Sequence, residues 1–217
     1  ATTANNDLQW LRRMNFPFDS LACRAVELGY ASGIVGSNSR RPARQLRISG
    51  GAWRGRKFRF PAGDALRPTP DRVRETLFNW LMGRVEGTRA LDLFSGSGAL
   101  GLEALSRGAA QVTFVERDAS VARHLEGVLA ELGAQHARIA QDDALRFLRG
   151  PARAFDLVFL DPPFESDLVA RAAAALEAGG WLAPAALIYL ELPARAPLPR
   201  LPDTWRIAKS GHSGEVG

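Results

Sequence analysis

The chain has 217 residues, 46% of them hydrophobic and 24% charged. That is enough for one α/β domain with a small appendage and too little for two large domains. No apolar run approaches the ~20 residues needed to cross a bilayer, the first residues carry no secretory pattern, and Cys23, the only cysteine, excludes intrachain disulfides.

A cytoplasmic protein is the expectation from these features; a monomer is expected too, though these features do not decide it. His124, His136 and His212 have no ligand spacing with one another or with Cys23, so no metal is expected. The net charge of +5 is unevenly spread. Residues 1–88 hold 15 Arg/Lys against 7 Asp/Glu, and residues 89–217 hold 13 against 16. Between Arg40 and Arg59 lie Arg40, Arg41, Arg44, Arg47, Arg54, Arg56, Lys57 and Arg59, with no acid among them. Such a cluster is the electrostatic footprint of a surface that grips phosphates, or else a solvated basic tail. Charge alone does not separate the two.

In chain order, residues 1–44 show no sustained periodicity and are expected to be a disordered or linker-like extension, with Ser37-Asn38-Ser39-Arg40-Arg41-Pro42 as linker. Leu46–Ser49 and Arg56–Phe60, joined through Gly50-Gly51, predict a short hairpin with Ile48, Phe58 and Phe60 on its apolar face. Arg67-Pro68-Thr69-Pro70 predicts a rigid turn with Thr69 as the N-cap of a helix. Val73, Leu77, Trp80 and Leu81 form that helix's buried stripe.

From residue 89 short apolar runs alternate with amphipathic stretches. Strands are expected at Ala90–Phe94, Gln111–Glu116, Ala137–Ala140, Phe155–Leu160 and Leu187–Leu190. Helices are expected at Ala99–Arg107, Ser120–Leu132, Asp143–Leu148 and Asp167–Glu177, with Gly108, Gly133 and Gly179-Gly180 as C-terminal caps. Thr204–Ser210 and Glu215–Gly217 suggest the start of an antiparallel hairpin. The alternation implies a mostly parallel, twisted sheet with helices on both faces, a Rossmann-like α/β fold. Three segments follow: the extension 1–44, a basic hairpin and helix over 45–88, and an α/β domain over 89–217.

Two motifs carry chemistry. Asp92-Leu93-Phe94-Ser95-Gly96-Ser97-Gly98-Ala99-Leu100-Gly101 follows a strand and opens a helix, where glycines let a ligand approach the backbone. Glu116, about 20 residues on, suits an acid that binds ribose hydroxyls. Taken alone this fits an NAD-dependent dehydrogenase as well. The second motif, Asp161-Pro162-Pro163-Phe164, follows the strand Phe155–Leu160. Its prolines remove two N–H donors and leave acceptors only, which suits a substrate that donates N–H bonds, such as the amine of a nucleobase. Phe164 would stack on that base.

Together these motifs resemble the amino-methyltransferase branch of the class I S-adenosylmethionine enzymes. More closely, the chain is similar to the bacterial small-subunit ribosomal RNA guanine-N2 methyltransferases of the RsmD type. Residues carrying the likeness include Arg47-Ile48-Ser49-Gly50-Gly51, Trp53-Arg54-Gly55-Arg56, Arg67-Pro68-Thr69 with Asp71 to Leu81, Gly98 to Arg107, and Gly180-Trp181-Leu182. The resemblance spans about residues 46–215. Residues 1–44 match nothing in the family pattern, and the Gly214-Glu215-Val216 element stops short.

The resemblance implies that Asp92, Gly96 and Gly98 hold the methionine part of S-adenosylmethionine. Glu116 would hold its ribose, Asp143 with Ala144 would lie at its adenine, and Phe94 and Arg117 would also belong to the cofactor site. Asp161, Pro162, Pro163 and Phe164 would hold the target guanine, with Asp161 also beside the cofactor. It further implies a guanine of 16S rRNA as substrate, within the small subunit or its assembly intermediate, and S-adenosylhomocysteine as product. Arg47, Arg54, Arg56, Lys57, Arg67, Arg72 and Arg74 are the expected RNA-contacting set. A DNA or RNA adenine-N6 methyltransferase and a non-catalytic RNA-binding assembly factor remain as alternatives.

Overall fold

A computed structural model describes residues 24–31, 44–60, 71–163, 167–193 and 196–213. The expected turn at residues 67–70, with Arg67 and the Thr69 cap, lies outside them, as does Phe164.

The elements in chain order are β1 (Arg24–Ala31), β2 (Arg44–Arg47), β3 (Lys57–Phe60), α1 (Asp71–Trp80), β4 (Arg89–Asp92), α2 (Ala99–Ser106) and β5 (Gln111–Glu116). They continue with α3 (Ala119–Leu132), β6 (Ala137–Gln141), α4 (Ala144–Phe147), β7 (Phe155–Leu160), α5 (Leu168–Ala178), β8 (Leu182–Pro193) and β9 (Trp205–Ser213). Strands β2 and β3 pair antiparallel as a separate hairpin. The other seven form one sheet in the order β6-β5-β4-β7-β8-β1-β9, with every neighbouring pair parallel.

Period-two alternation along the central strands splits the core into two layers. Ala90, Val112, Phe114, Leu157, Phe159, Leu187 and Tyr189 face one side, where α1, α2, α3 and the hairpin cover them. Leu91, Val115, Val158, Leu160, Ile188 and Leu190 face the other, against α4 and α5. Strands buried on both faces read as continuous apolar runs, so β5 and β7 match the sequence expectation residue for residue. Helix α3 has both signals that sequence can carry. The Asp118 carboxylate accepts from the Ser120 and Val121 amides, and Gly133 closes the last turn at φ 64°.

One expectation needs correcting. Arg24–Ala31 is not linker but a strand, inserted between β8 and β9 and parallel to both, with Val26 beside Ile188 and Ile207. Its partners lie more than 150 residues away, and the local sequence gives no sign of such a pairing. Trp205–Ser213 forms the edge strand of the sheet, paired parallel with β1; the second arm of the hairpin expected there, Glu215–Gly217, lies outside the described residues.

The basic hairpin is welded to α2. Glu103, 0% exposed, accepts from the Ser49 amide (2.9 Å) and hydroxyl (2.7 Å) and from Arg107 Nε (2.7 Å) and Arg74 Nε (3.3 Å). The Ala52 amide donates to the Ser106 carbonyl and the Trp53 amide to Ser106 Oγ. Gly51, at φ 76°, makes this approach possible. A Cβ there would lie 1.8 Å from the Ser106 carbonyl oxygen.

Candidate active site

Open parallel sheets bind ligands at the carboxyl ends of their strands, where the winding direction reverses. The chain here runs outward through β4, β5 and β6, then returns to place β7 on the other side of β4. The reversal point is therefore the β4/β7 gap. Asp92 ends β4 and Asp161 follows β7, so both sequence motifs flank it.

Asp92 is buried, and its Oδ2 accepts from the Gly101 amide at 3.0 Å, tying the strand end to the first turn of α2. The turn between them is set by Ser95, whose hydroxyl donates to the Asp92 carbonyl and whose amide donates to that of Val115. Gly98 caps α2 at φ 73°, and a Cβ there would meet Leu125 Cδ1 at 2.6 Å. Glu116 ends β5 and reaches back, one oxygen accepting from the Gly96 amide (2.9 Å) and the other from the Asp118 amide (2.7 Å). Each oxygen keeps a second lone pair for a ligand hydroxyl.

Burial pushes the Asp92 carboxyl up to about 7, opposed by the Gly101 amide and aided by the charges of Asp161 and Glu116. An acid whose pKa rises on folding binds more protons in the native state. Its contribution to stability is therefore full below its ordinary value of 3.8 and is lost as pH rises through about 7. At pH 8 the cost is on the order of a few kcal/mol. Asp92→Asn is expected to raise the melting temperature of the ligand-free protein at pH 8, and by less at pH 5. An equal or greater loss at pH 8 in a thermal melt contradicts this.

In the second turn Asp161 is half-buried, Pro162 buried and Pro163 exposed. Phe94 is half-buried beneath the glycine turn, packed against the α4/α5 side of the core. Asp143 is exposed and N-caps α4 through the Leu145 and Arg146 amides, with Ala144 buried behind it. Arg117 is exposed next to Glu116.

The expected RNA-contacting residues divide. Arg54, Lys57 and Arg72 are exposed. Arg47, also exposed, lies 4.0 Å from Glu75, and Arg56 pairs with Glu131 at 2.7 Å. Arg74 is different. It is 0% exposed and is held by Glu103, Asp71 and the Arg47 carbonyl, so it serves the seam between hairpin and domain and is not available to RNA.

Sequence reasoning missed Glu191. This acid ends an apolar stretch of β8, is 4% exposed, and accepts from Tyr189 Oη at 3.2 Å. An isolated glutamate inside Leu187-Ile188-Tyr189-Leu190-Glu191-Leu192 was the available signal. Among the described residues no helix is long and apolar enough to cross a membrane.

The parallel sheet, the glycine turn on β4 and the acceptor turn on β7 define a Rossmann-like methyltransferase of class I architecture. Residues 46–217 match the family described as conserved hypothetical protein 95. The ribosomal RNA small subunit methyltransferase D of Escherichia coli K12 is 47% identical over 172 residues, covering 79% of this chain and 87% of that protein. The Haemophilus influenzae protein of the same name is 45% identical, covering 79% and 91%. A solved Escherichia coli structure, yhhF, itself described as a candidate methyltransferase, superposes with a TM-score of 0.68 at 49% identity over 74% of this chain and 87% of that one. The chain belongs to this family, the RsmD-type methyltransferases.

Proposed function

We propose that the chain transfers a methyl group from S-adenosylmethionine to the exocyclic N2 amine of a specific guanine in 16S rRNA. It would act on the small subunit or its assembly intermediate, as a cytoplasmic monomer. The observation that carries this reading is the pairing of two turns across the β4/β7 reversal point, one rich in glycine with a buried acid and one made of acceptors only. The names of the relatives, small-subunit rRNA methyltransferases, support the substrate class.

The residues suit the cofactor. Among the described residues no cation pairs with the buried Asp92 carboxyl, which fits the ammonium of a methionine moiety. Glu116 keeps lone pairs for ribose hydroxyls, and the positive φ of Gly98 keeps the turn free of side chain. Phe94 and Arg117 border this seat, and Asp143 with Ala144 would lie at the adenine end. When bound, S-adenosylmethionine supplies a methyl already activated by its sulfonium, so the chemistry requires neither metal nor strong base.

The guanine amine is a poor nucleophile because its lone pair is delocalised into the ring. Asp161 and the carbonyls of a proline turn accept its N–H bonds, which favours a pyramidal nitrogen with its lone pair aimed at the methyl. This is catalysis by positioning and preorganised electrostatics. The N2 lone pair forms the new N–C bond as the S–C bond breaks, its electrons staying on sulfur, and one N2 proton passes to solvent. The base must first leave its stack to reach the turn. Phe164 is proposed to hold it there by stacking.

Arg47, Arg54, Arg56, Lys57, Arg67 and Arg72 are proposed to hold the RNA backbone. Lys57 and Arg59 of β3 line a shared groove with Arg123, His124 and Glu131 of α3. Changing Arg54, Arg56 and Lys57 together to alanine is expected to weaken RNA binding and to reduce the slope of log K against log salt by about 2, at ~0.7 per phosphate contact on single strands. An unchanged slope in titrations at several salt concentrations would identify the cluster as a solvated face.

The whole reading is tested by incubating the protein with methyl-labelled S-adenosylmethionine and either naked 16S rRNA or unmethylated small subunits, then identifying the nucleoside. Label in N2-methylguanosine is expected. Label in N6-methyladenosine would favour the adenine enzyme. Binding of a nicotinamide dinucleotide in place of S-adenosylmethionine would favour a dehydrogenase, a reading that leaves the proline turn without a task.

A further inference from the structure

The register of the sheet sets a second acid beside the acceptor turn. Leu160 of β7 pairs with Leu190 of β8, so the next residues, Asp161 and Glu191, stand side by side at the strand ends. Neighbouring strands lie about 4.8 Å apart. Alternation puts both on the face that carries Phe159 and Tyr189, the face of Asp92. Three carboxyl groups thus line one edge of the reversal point, from β4, β7 and β8.

Glu191 has little solvent, and burial pushes its carboxyl up to about 8, with the Asp161 charge adding to the rise and the Tyr189 hydroxyl opposing it. The groups that face it are Asp161 on β7, with Asp92 beyond, and Tyr189 on its own strand. On β1, Gly29 is opposite Glu191, and Glu27 and Tyr30 are the nearest titratable positions by register. On α1, which covers this face, the buried cation is Arg74, and it is bound to Glu103. No cation among the described residues therefore neutralises Glu191. A buried acid beside a half-buried one is most stable sharing one proton with it, as the neutral acid bonded to the ionised one.

We propose that Glu191 is a positioning residue for Asp161. As the neutral acid it donates a hydrogen bond to the Asp161 carboxylate and holds it toward the incoming amine, while Tyr189 fixes its other oxygen. The inference rests on the reading of Asp161 as the acceptor of the amine. Above its titration Glu191 loses its donor and becomes a second negative charge beside Asp161, which is then repelled from its working orientation. Methyl transfer therefore declines on the alkaline side.

Glutamine is the informative replacement because it keeps the shape of a neutral glutamic acid and donates at every pH. Single-turnover rates, together with steady-state kcat and KM, would be measured on unmethylated small subunits from pH 6 to 9.5 for the full chain and for Glu191→Gln, Glu191→Ala and Asp161→Asn. Thermal melts and S-adenosylmethionine affinity would be taken alongside. Glu191→Gln is expected to keep a rate near wild type at pH 7 and to lose the decline near pH 8. Glu191→Ala should lower kcat by tenfold or more with KM little changed. A Glu191→Gln protein that is folded and binds cofactor yet is inactive, or that keeps the wild-type decline, overturns the proposal. So does full kcat in Glu191→Ala while Asp161→Asn is inactive, a result that leaves the role of Asp161 standing. Full rate in Asp161→Asn removes that role and the inference with it.

Discussion

Replacing Asp161 with alanine is expected to lower the methyl-transfer rate on the order of 10²–10³-fold, the cost of removing one preorganised hydrogen-bonding partner of a reacting group. The two prolines that follow carry no polar side chain, so within residues 161–163 only main-chain carbonyls remain as acceptors. The protein should remain folded. Asp161 is half-buried, and its charge is one of the causes that push Asp92 and Glu191 upward. Removing it relieves both, and the melting temperature of the ligand-free protein at pH 8 is expected to hold or rise. Loss of activity without loss of stability separates a chemical role from a structural one. Turnover in labelled-methyl assays close to wild type would end the assignment.

Glu103→Ala acts in the opposite way, on the fold before the chemistry. The substitution leaves Arg74, with no exposed surface, and Arg107 without their shared carboxylate, and it strips two bonds from Ser49. Breaking a buried pair by deleting one partner costs about 3–5 kcal/mol, on the order of 10 °C in melting temperature for a chain of this size. Burial pushes the Glu103 carboxyl upward, but the Ser49 amide and hydroxyl together with Arg107 outweigh that and hold it below its ordinary value of 4.5. Its contribution is therefore full above that value and is lost as pH falls through the lowered one. The gap between wild type and Glu103→Ala in thermal melts should be constant near neutrality and narrow in acid. A gap that widens in acid would show that Glu103 does not ionise in the native protein.

Much of the domain was legible because its signals are local. Phe155–Leu160 is a continuous apolar run, as a strand covered on both faces must be, and Gly133 marks a helix end that only a left-handed residue closes. Asp92 and Asp161 could be placed at strand ends from the same pattern, whereas the reversal of winding between them shows only in the strand order of the sheet. What could not be read depends on partners distant in sequence. Arg74 looks like one more exposed arginine of a basic segment until Glu103, 29 residues on, is brought against it. Glu191 is ordinary in composition and becomes unusual only beside Asp161. β1 pairs with residues more than 150 positions away, which no window of sequence reports.

The weld between hairpin and α2 has a mechanical consequence. Ser49, Ala52 and Trp53 are each pinned to Glu103 or Ser106, which ties the arginine-bearing ribbon to the domain holding the acceptor turn. Among the described residues the two are joined like the jaws of a set caliper. On the proposed reading, an RNA held at the ribbon would itself have to bridge the span and swing its base out to fill it. Pliant single-stranded loops would then comply more readily than a stacked duplex of the same sequence.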